Sequence, residues 1–223
     1  YYDATQPSRL EYLIANTHMD AAQRERVRDI TLAWRNRHLS KYNHARALRS
    51  HQDLLPARFV LVVDQTFGDA SIRYGMADAS SFRRMLEAAL DEHPDSTIVL
   101  KLHPEVVAGH KQGHFDALTQ GQASRVQLLG RDVHAPYLLE RAEAVYSVTS
   151  QMGFEGLLWG KPVRTFGMPF YAGWGLTQDE LKAPDRRREV SLETLVHAAL
   201  IGYPRYVDPE TGQQCEARKS CPG

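Results

Sequence analysis

An α/β fold on a parallel sheet is what these 223 residues predict, and three observations predict it. Short apolar runs rich in β-branched residues recur along the chain, helical patterns fall between them, and polar residues collect just past the ends of the runs. Continuous runs of this kind read as strands buried on both faces. Strands alternating with helices imply right-handed crossovers, hence a Rossmann-like sheet with helices on both faces.

The runs are FVLVV (59–63), IVLKL (98–102), VQLL (126–129), VYSV (145–148) and VRTF (163–166). After the first, Asp78 can cap a segment in which Phe82, Met85, Leu86, Ala89 and Leu90 make one apolar stripe, and His93-Pro94 ends it. Weaker helical candidates follow at 112–120 and 135–143, and a compact one at 151–159. Residues 55–170 are therefore expected to form the Rossmann-like domain. Residues 1–54 read as linking helices, with Leu10, Leu13, Ile14, Val27, Ile30 and Leu32 set among Arg24, Arg26, Arg28, Arg35, Arg37, Lys41, Arg46 and Arg49. A basic face of that kind is usually just solvated; the sharper reading is a contact for an acidic acceptor or an anionic membrane surface. Residues 171–223 read as the loop FYAGWGLTQDE, the run Asp185-Arg186-Arg187-Arg188, a helix near 191–201 and a turn-rich tail.

Hydrophobic content of 43% and charged content of 24% describe an ordinary globular chain, and a formal net charge of zero gives no global electrostatic case for nucleic acid. Cys215 and Cys221 form neither a zinc pattern nor a disulfide framework, which points to a reducing compartment. No apolar stretch is long enough to cross a bilayer, and the first residues carry no signal-peptide pattern. A cytoplasmic protein is expected. The start at Tyr1-Tyr2-Asp3 reads as a piece of something longer.

Ligands of open α/β sheets bind beyond the carboxyl ends of the strands. Past the first run lie Asp64, Gln65, Thr66, Gly68, Asp69 and Ser71; past the second, His103, Pro104 and Glu105; past the third, Gly130, Arg131 and Asp132. Past the fourth come Thr149, Ser150 and Gln151, with Glu155 one turn into the next helix. Each has a plain structural alternative. Asp64 and Asp69 suit turns or caps, Ser147 to Ser150 suit an N-cap, and Glu155 suits a solvated helix face. Hydroxyls and free N–H groups at a helix start also suit a phosphate, and a glutamate one turn later suits two ribose hydroxyls. No dinucleotide or P-loop glycine motif is present, and no His and Cys spacing suggests a metal.

VVDQTFGDASI, VLKLHPEV, VYSVTSQMGFEGLLWGKPVRTFGMPFYAGWGLT and YPRYVDPETG closely resemble the KpsC/LipB capsule polysaccharide biosynthesis family, over residues 56 to 215, and YYDATQPSRLEYLI resembles the family's link from a preceding half-module. The resemblance implies the nucleotide-binding half of a GT-B module, with the acceptor half largely to the N-terminal side. It implies a retaining β-Kdo transferase that uses CMP-Kdo, without a cofactor or metal, to build a linker on a lyso-phosphatidylglycerol acceptor. Such an enzyme works beside a second Kdo transferase module and other capsule assembly proteins, at the inner face of the inner membrane. On this reading Lys101, His103, Ser147, Thr149 and Ser150 hold the phosphate and stabilise charge on the leaving group, which makes His103 catalytic as well; Pro104 and Gln151 also bind the nucleotide, Glu155 holds the ribose, and Gly130 and Arg131 mark the base slot by position. Retention implies two inversions and a carboxylate nucleophile, Asp69 first and Asp64 as its rival, with Gln65, Arg73 or Lys101 against the Kdo carboxylate. Competing readings are a GT-B enzyme of uridine-nucleotide sugars and a nucleotide-binding scaffold without activity.

Overall fold

Two helices lead in, α1 (Arg9–Asn16) and α2 (Ala21–Asn36). The chain then runs β1 (Phe59–Val63), α3 (Ala70–Tyr74), α4 (Ala79–Glu92), β2 (Thr97–Lys101), α5 (Pro104–Val107), α6 (Gln120–Ala123) and β3 (Val126–Leu129). It continues through α7 (Ala135–Arg141), β4 (Val145–Ser147), α8 (Gln151–Leu158), β5 (Val163–Thr165) and β6 (Gln178–Asp179). After α9 (Leu192–His197) a π-helical turn spans Ala198–Gly202, and β7 (Tyr206–Val207) pairs antiparallel with β8 (Gln214–Cys215). The structure is a computed structural model and describes residues 3–41, 43, 55–115, 118–130, 133–208 and 210–216.

The sheet has six strands in the order β3-β2-β1-β4-β5-β6, every neighbouring pair parallel. Strand alternation divides the core in two. Phe59, Leu61 and Val63 of β1 pack on one side with α1, α2, α7, α8 and α9; Val60 and Val62 pack on the other with α4. The α4 stripe behaves as expected: Phe82, Met85, Leu86 and Ala89 are buried, and Asp78 caps the helix by accepting from the Ser80 N–H at 2.8 Å. α8 lies close on the sheet because Gly156 has no side chain; a Cβ there would stand 3.1 Å from methyls of Val145 and Val163.

Three expectations are corrected. Residues 112–115, 118 and 119 are not helical, and the helix begins only at Gln120 behind a Thr119 cap. The backbone there bonds outward instead: Gln112 O accepts from Phe67 N at 2.7 Å, and His114 N donates to Asp64 Oδ1 at 3.2 Å. The sheet also gains an edge strand, β6, that no apolar run announces. Gln178 and Asp179 hold it through the side chain of Asp179, which accepts from the Thr165 and Thr177 hydroxyls and the Gly173 N–H. Lastly, α2 does not divide cleanly into a solvated basic face and a buried apolar one: Arg24 and Arg28 are exposed, but Arg26 and Arg35 are half-buried. Arg28 pairs with Glu193 at 3.0 Å, Arg26 with Glu216 at 3.3 Å, and Arg35 Nε donates to Leu158 O at 2.5 Å. Leu32, read as apolar-face, is 53% exposed, and Arg46 and Arg49 lie outside the described residues.

Phe82 fastens α4 to the sheet and stacks face to face on His114 at a centroid distance of 3.7 Å. Phe82→Ala is expected to lower unfolding free energy by about 3–5 kcal/mol. Arg28→Ala breaks only an exposed pair and should leave the urea midpoint almost unchanged. Equal losses for the two variants would contradict this account of the core.

Candidate functional site

The strand order reverses between β1 and β4, and a cavity of about 580 Å³ opens where their carboxyl ends diverge. Two carboxylates come from the loop after β1, and they are held differently. Asp64 is 2% exposed, and its Oδ1 accepts from the N–H groups of Gln65 at 2.8 Å and His114 at 3.2 Å. A Cβ on Gly113 would stand 2.3 Å from Asp64 Oδ2, so only glycine lets the 112–114 segment close against it. Asp69 is half-buried on the cavity wall and caps α3, its Oδ1 accepting from Ser71 N at 2.9 Å. The preceding Gly68 has φ +79°, a left-handed conformation that side chains disfavour.

Gln65 ties this loop to the start of α8. Its Oε1 accepts from Thr149 N at 2.9 Å, and its Nε2 donates to Thr149 Oγ1 at 2.9 Å and Ser71 Oγ at 3.3 Å. Thr149 is boxed in: Cβ atoms on Gly75 or Gly167 would stand 2.3 and 2.9 Å from its methyl. Ser150 is the N-cap of α8, its Oγ accepting from Met152 N at 3.3 Å. The first N–H groups of a helix have no intrahelical acceptor, so the Ser150-Gln151 end presents donors and the positive end of the helix dipole to the cavity.

β2 delivers the cations. Lys101, its last residue, is 6% exposed and lines the cavity, as does His103 just ahead of α5. His103 Nδ1 accepts from Glu105 N at 3.2 Å, which assigns the ring proton to Nε2 in the neutral form. Burial pushes its pKa below the usual histidine value, the charges of Lys101, Lys41 and Lys111 push the same way, and Glu105 opposes them. The opposite wall carries Glu155, only 1% exposed. Its Oε2 accepts from Ser40 Oγ at 2.7 Å and its Oε1 from Lys41 N at 3.1 Å. Burial raises its pKa, while those two bonds and the charges of Lys41 and Lys101 pull it down.

Of the residues expected at the site, Asp64, Gln65, Asp69, Lys101, His103, Thr149, Ser150, Gln151 and Glu155 share this cavity. Pro104 opens α5 beside it. Arg73 lies off the wall, its guanidinium over the Tyr74 ring. Ser147 sits behind the wall at 0% exposure, bonded to Tyr171 Oη at 3.3 Å, and Gly130 also lies off the wall. Arg131 is outside the described residues, and Val133 and Ala135 line that side instead. The plain reading of Glu155 as a solvated helix residue is overturned by its burial; α8, QMGFEGLL, has no polar face for it to share, which was a usable signal. Ser40 and Asp3 line the cavity with no local signal, since long-range contacts bring them there. Among the described residues, no cluster of three or more His, Cys, Asp and Glu side chains could hold a metal, and no helix is long and apolar enough to cross a membrane.

The arrangement fits a phosphorylated ligand: cations and a helix start on one side, a buried carboxylate for hydroxyls on the other, and Asp69 beside them. Comparison with known proteins agrees with the fold and the motifs. Residues 34–206 match the model of the family described as capsule polysaccharide biosynthesis protein. LipA, a capsule polysaccharide modification protein of Neisseria meningitidis serogroup B, is 46% identical over 96% of this chain. LpsZ, a lipopolysaccharide-processing protein of Rhizobium meliloti, is 36% identical over 97% of it. The chain spans 31% of LipA and 49% of LpsZ. Among solved structures, the β-Kdo 2,4 transferase of Thermosulfurimonas dismutans KpsC superposes with TM-score 0.90 at 40% identity, covering 98% of this chain and 68% of that one. The β-Kdo 2,7 transferase of the same KpsC gives 0.74 at 28% identity, covering 98% and 66%. The chain belongs to the capsule polysaccharide biosynthesis family.

Proposed function

We propose that this chain is the donor-nucleotide half of a retaining β-Kdo transferase module that takes Kdo from CMP-Kdo. The observation that carries the reading is the gathering of Asp69, Lys101, His103, the start of α8 and Glu155 around one cavity. The likeness to two Kdo transferases supports the sugar, and a phosphate monoester of a nucleoside needs the groups the cavity offers.

In this mechanism the CMP phosphate lies at the Ser150-Gln151 end of α8, with Lys101, Lys41 and His103 supplying positive charge and a proton donor. Glu155 keeps lone pairs beyond those taken by Ser40 and Lys41, and these accept from the ribose hydroxyls. Asp69 attacks the anomeric carbon, the carbon–oxygen bond to CMP breaks, and CMP leaves carrying the electron pair, stabilised by the same cations and dipole. An acceptor hydroxyl then attacks the same anomeric carbon of the Kdo–Asp69 ester, passes its proton to the released CMP phosphate and breaks the bond to Asp69, freeing the carboxylate. Two inversions leave the configuration retained. Asp64 fits an orienting role better than attack, because its carboxylate is already bonded to Gln65 and His114. Lys101 is the better partner for the Kdo carboxylate: Gln65 donates to Thr149 and Ser71, and Arg73 lies off the cavity. The lyso-phosphatidylglycerol acceptor and the capsule assembly partners belong to the longer protein, so this chain alone is expected to bind donor with little turnover.

Three outcomes check this. CMP should raise the melting temperature more than UMP or UDP at equal concentration; a preference for UDP would favour a uridine-sugar enzyme, and no response to any of them would favour a scaffold. In a complete module, Asp69→Asn should keep the α3 cap yet lower transfer roughly 10³-fold or more. Intact mass measurement with CMP-Kdo should show a Kdo adduct on the wild type and on Asp64→Asn, and none on Asp69→Asn; an adduct on Asp69→Asn contradicts the assignment. Third, burial holds the His103 pKa below its ordinary value, and a phosphate dianion beside it raises that pKa. CMP binding should therefore take up protons at pH 7, read from calorimetry in buffers of different ionisation enthalpy. His103→Asn should reduce that uptake, and an unchanged proton count would place the phosphate elsewhere.

A further inference from the structure

Behind the helix start that faces the cavity runs a line of buried polar contacts with no part in the chemistry above. Arg187 is 2% exposed in its side chain, and its Nε meets Glu11 Oε1 of α1 at 2.7 Å. Its Nη1 donates to the carbonyls of Pro169 and Ala172 at 2.7 and 2.8 Å, and its guanidinium lies 5.6 Å from the centroid of the Trp174 ring. Arg186 reaches the other Glu11 oxygen at 2.9 Å. Arg187 thus grips the loop that carries Phe170, Tyr171 and Trp174, and the Glu11 carboxylate, shared with Arg186, anchors Arg187 to α1. A buried ion pair contributes little net stability against its desolvation, and its best-attested use is to set register.

What the loop places is Tyr171. Its ring is fully buried, and its hydroxyl donates to Ser150 O, the N-cap carbonyl of α8, at 2.6 Å, with Ser147 Oγ at 3.3 Å. The hydroxyl occupies the space of a missing side chain: a Cβ on Gly153 would stand 2.2 Å from it. The contact therefore fixes how α8 enters the cavity wall. Ser150 and Gln151 lie at that end and Glu155 one turn along, so a tilt of α8 would move the phosphate cradle and the ribose acceptor together.

We propose that Tyr171 and Arg187 are positioning residues of the donor site: the Glu11–Arg187 pair holds the 169–174 loop, and the Tyr171 hydroxyl sets the start of α8. This rests on the donor-site reading of the cavity. The test is calorimetric titration of CMP into wild-type chain, Tyr171→Phe, Gly153→Ala, Arg187→Lys and Leu86→Ala, with a melting curve for each. Tyr171→Phe removes one hydrogen bond without changing shape and should weaken CMP roughly 5- to 20-fold. Gly153→Ala displaces the ring and should do at least as much. Arg187→Lys keeps the charge opposite Glu11 but not the geometry that serves two carbonyls as well, and should weaken CMP in the same direction. Leu86→Ala, in the core on the α4 side of the sheet and away from the cavity wall, should lower the melting temperature and leave CMP affinity of the folded protein within about twofold. Wild-type affinity in Tyr171→Phe and Arg187→Lys, with only their melting temperatures lowered, would overturn the proposal. A wild-type chain that binds no CMP would instead overturn the donor-site reading on which it rests.

Discussion

The Gln65 side chain, bonded to both the N–H and the hydroxyl of Thr149, is the contact on which the rest of the site depends. It joins the carboxyl ends of β1 and β4, the neighbouring strands at which the sheet's strand order reverses. A parallel sheet leaves a crevice at such a point, and the crevice becomes a site only when the loops above it are fixed relative to each other. Gln65 does so with one amide, using its acceptor and donors on the loop that follows β4 and on Ser71 at the start of α3. Asp69 and the start of α8 are thereby held at the two sides of one cavity. The glycines around Thr149 belong to the same constraint, since side chains at 75 or 167 would push it off the amide.

The cavity's polarity follows from what each strand end can carry. β2 sends Lys101 and His103 upward, where burial and neighbouring lysine charge lower the imidazole's pKa and Nε2 is the nitrogen placed to donate. β4 passes directly into α8, whose start brings backbone N–H groups and a positive dipole end to the cavity. Glu155 stands against these groups as a buried carboxyl whose pKa burial raises, with the Ser40 hydroxyl, the Lys41 N–H and nearby lysine charge pulling the other way. Positive charge, hydrogen-bond donors and a buried acceptor within one hollow make chemical sense for an anion that also bears hydroxyls.

Much of this was legible in the sequence because it is local. The strand runs, the Asp78 cap and the Phe82–Ala89 stripe each follow from residues within a single element, and the strand-end rule gathered most of the cavity wall. The failures are all long-range. The stretch 112–120 read as helical, yet the backbone groups of Gln112 and His114 bond to Phe67 and Asp64 in the loop after β1. β6 is two polar residues held by Asp179 contacts that no periodicity reveals. The run Asp185 to Arg188 carries no local sign of burial, but Arg187 is buried against a glutamate 176 residues earlier. Ser40 reaches Glu155 over a separation of 115 residues. The segments before and after the sheet are therefore structural parts of the cavity's frame, although their composition suggested appendages.

The central claim is that the carboxyl edge of the sheet forms one anion-holding pocket for a cytidylate sugar. A crystal structure with CMP bound measures it most directly. The account predicts the phosphate within hydrogen-bond distance of the Ser150-Gln151 end of α8 and of His103, with the ribose hydroxyls on Glu155 and Asp69 facing the empty sugar position. CMP bound on another surface, or bound here with its phosphate turned away from His103 and α8, would contradict it.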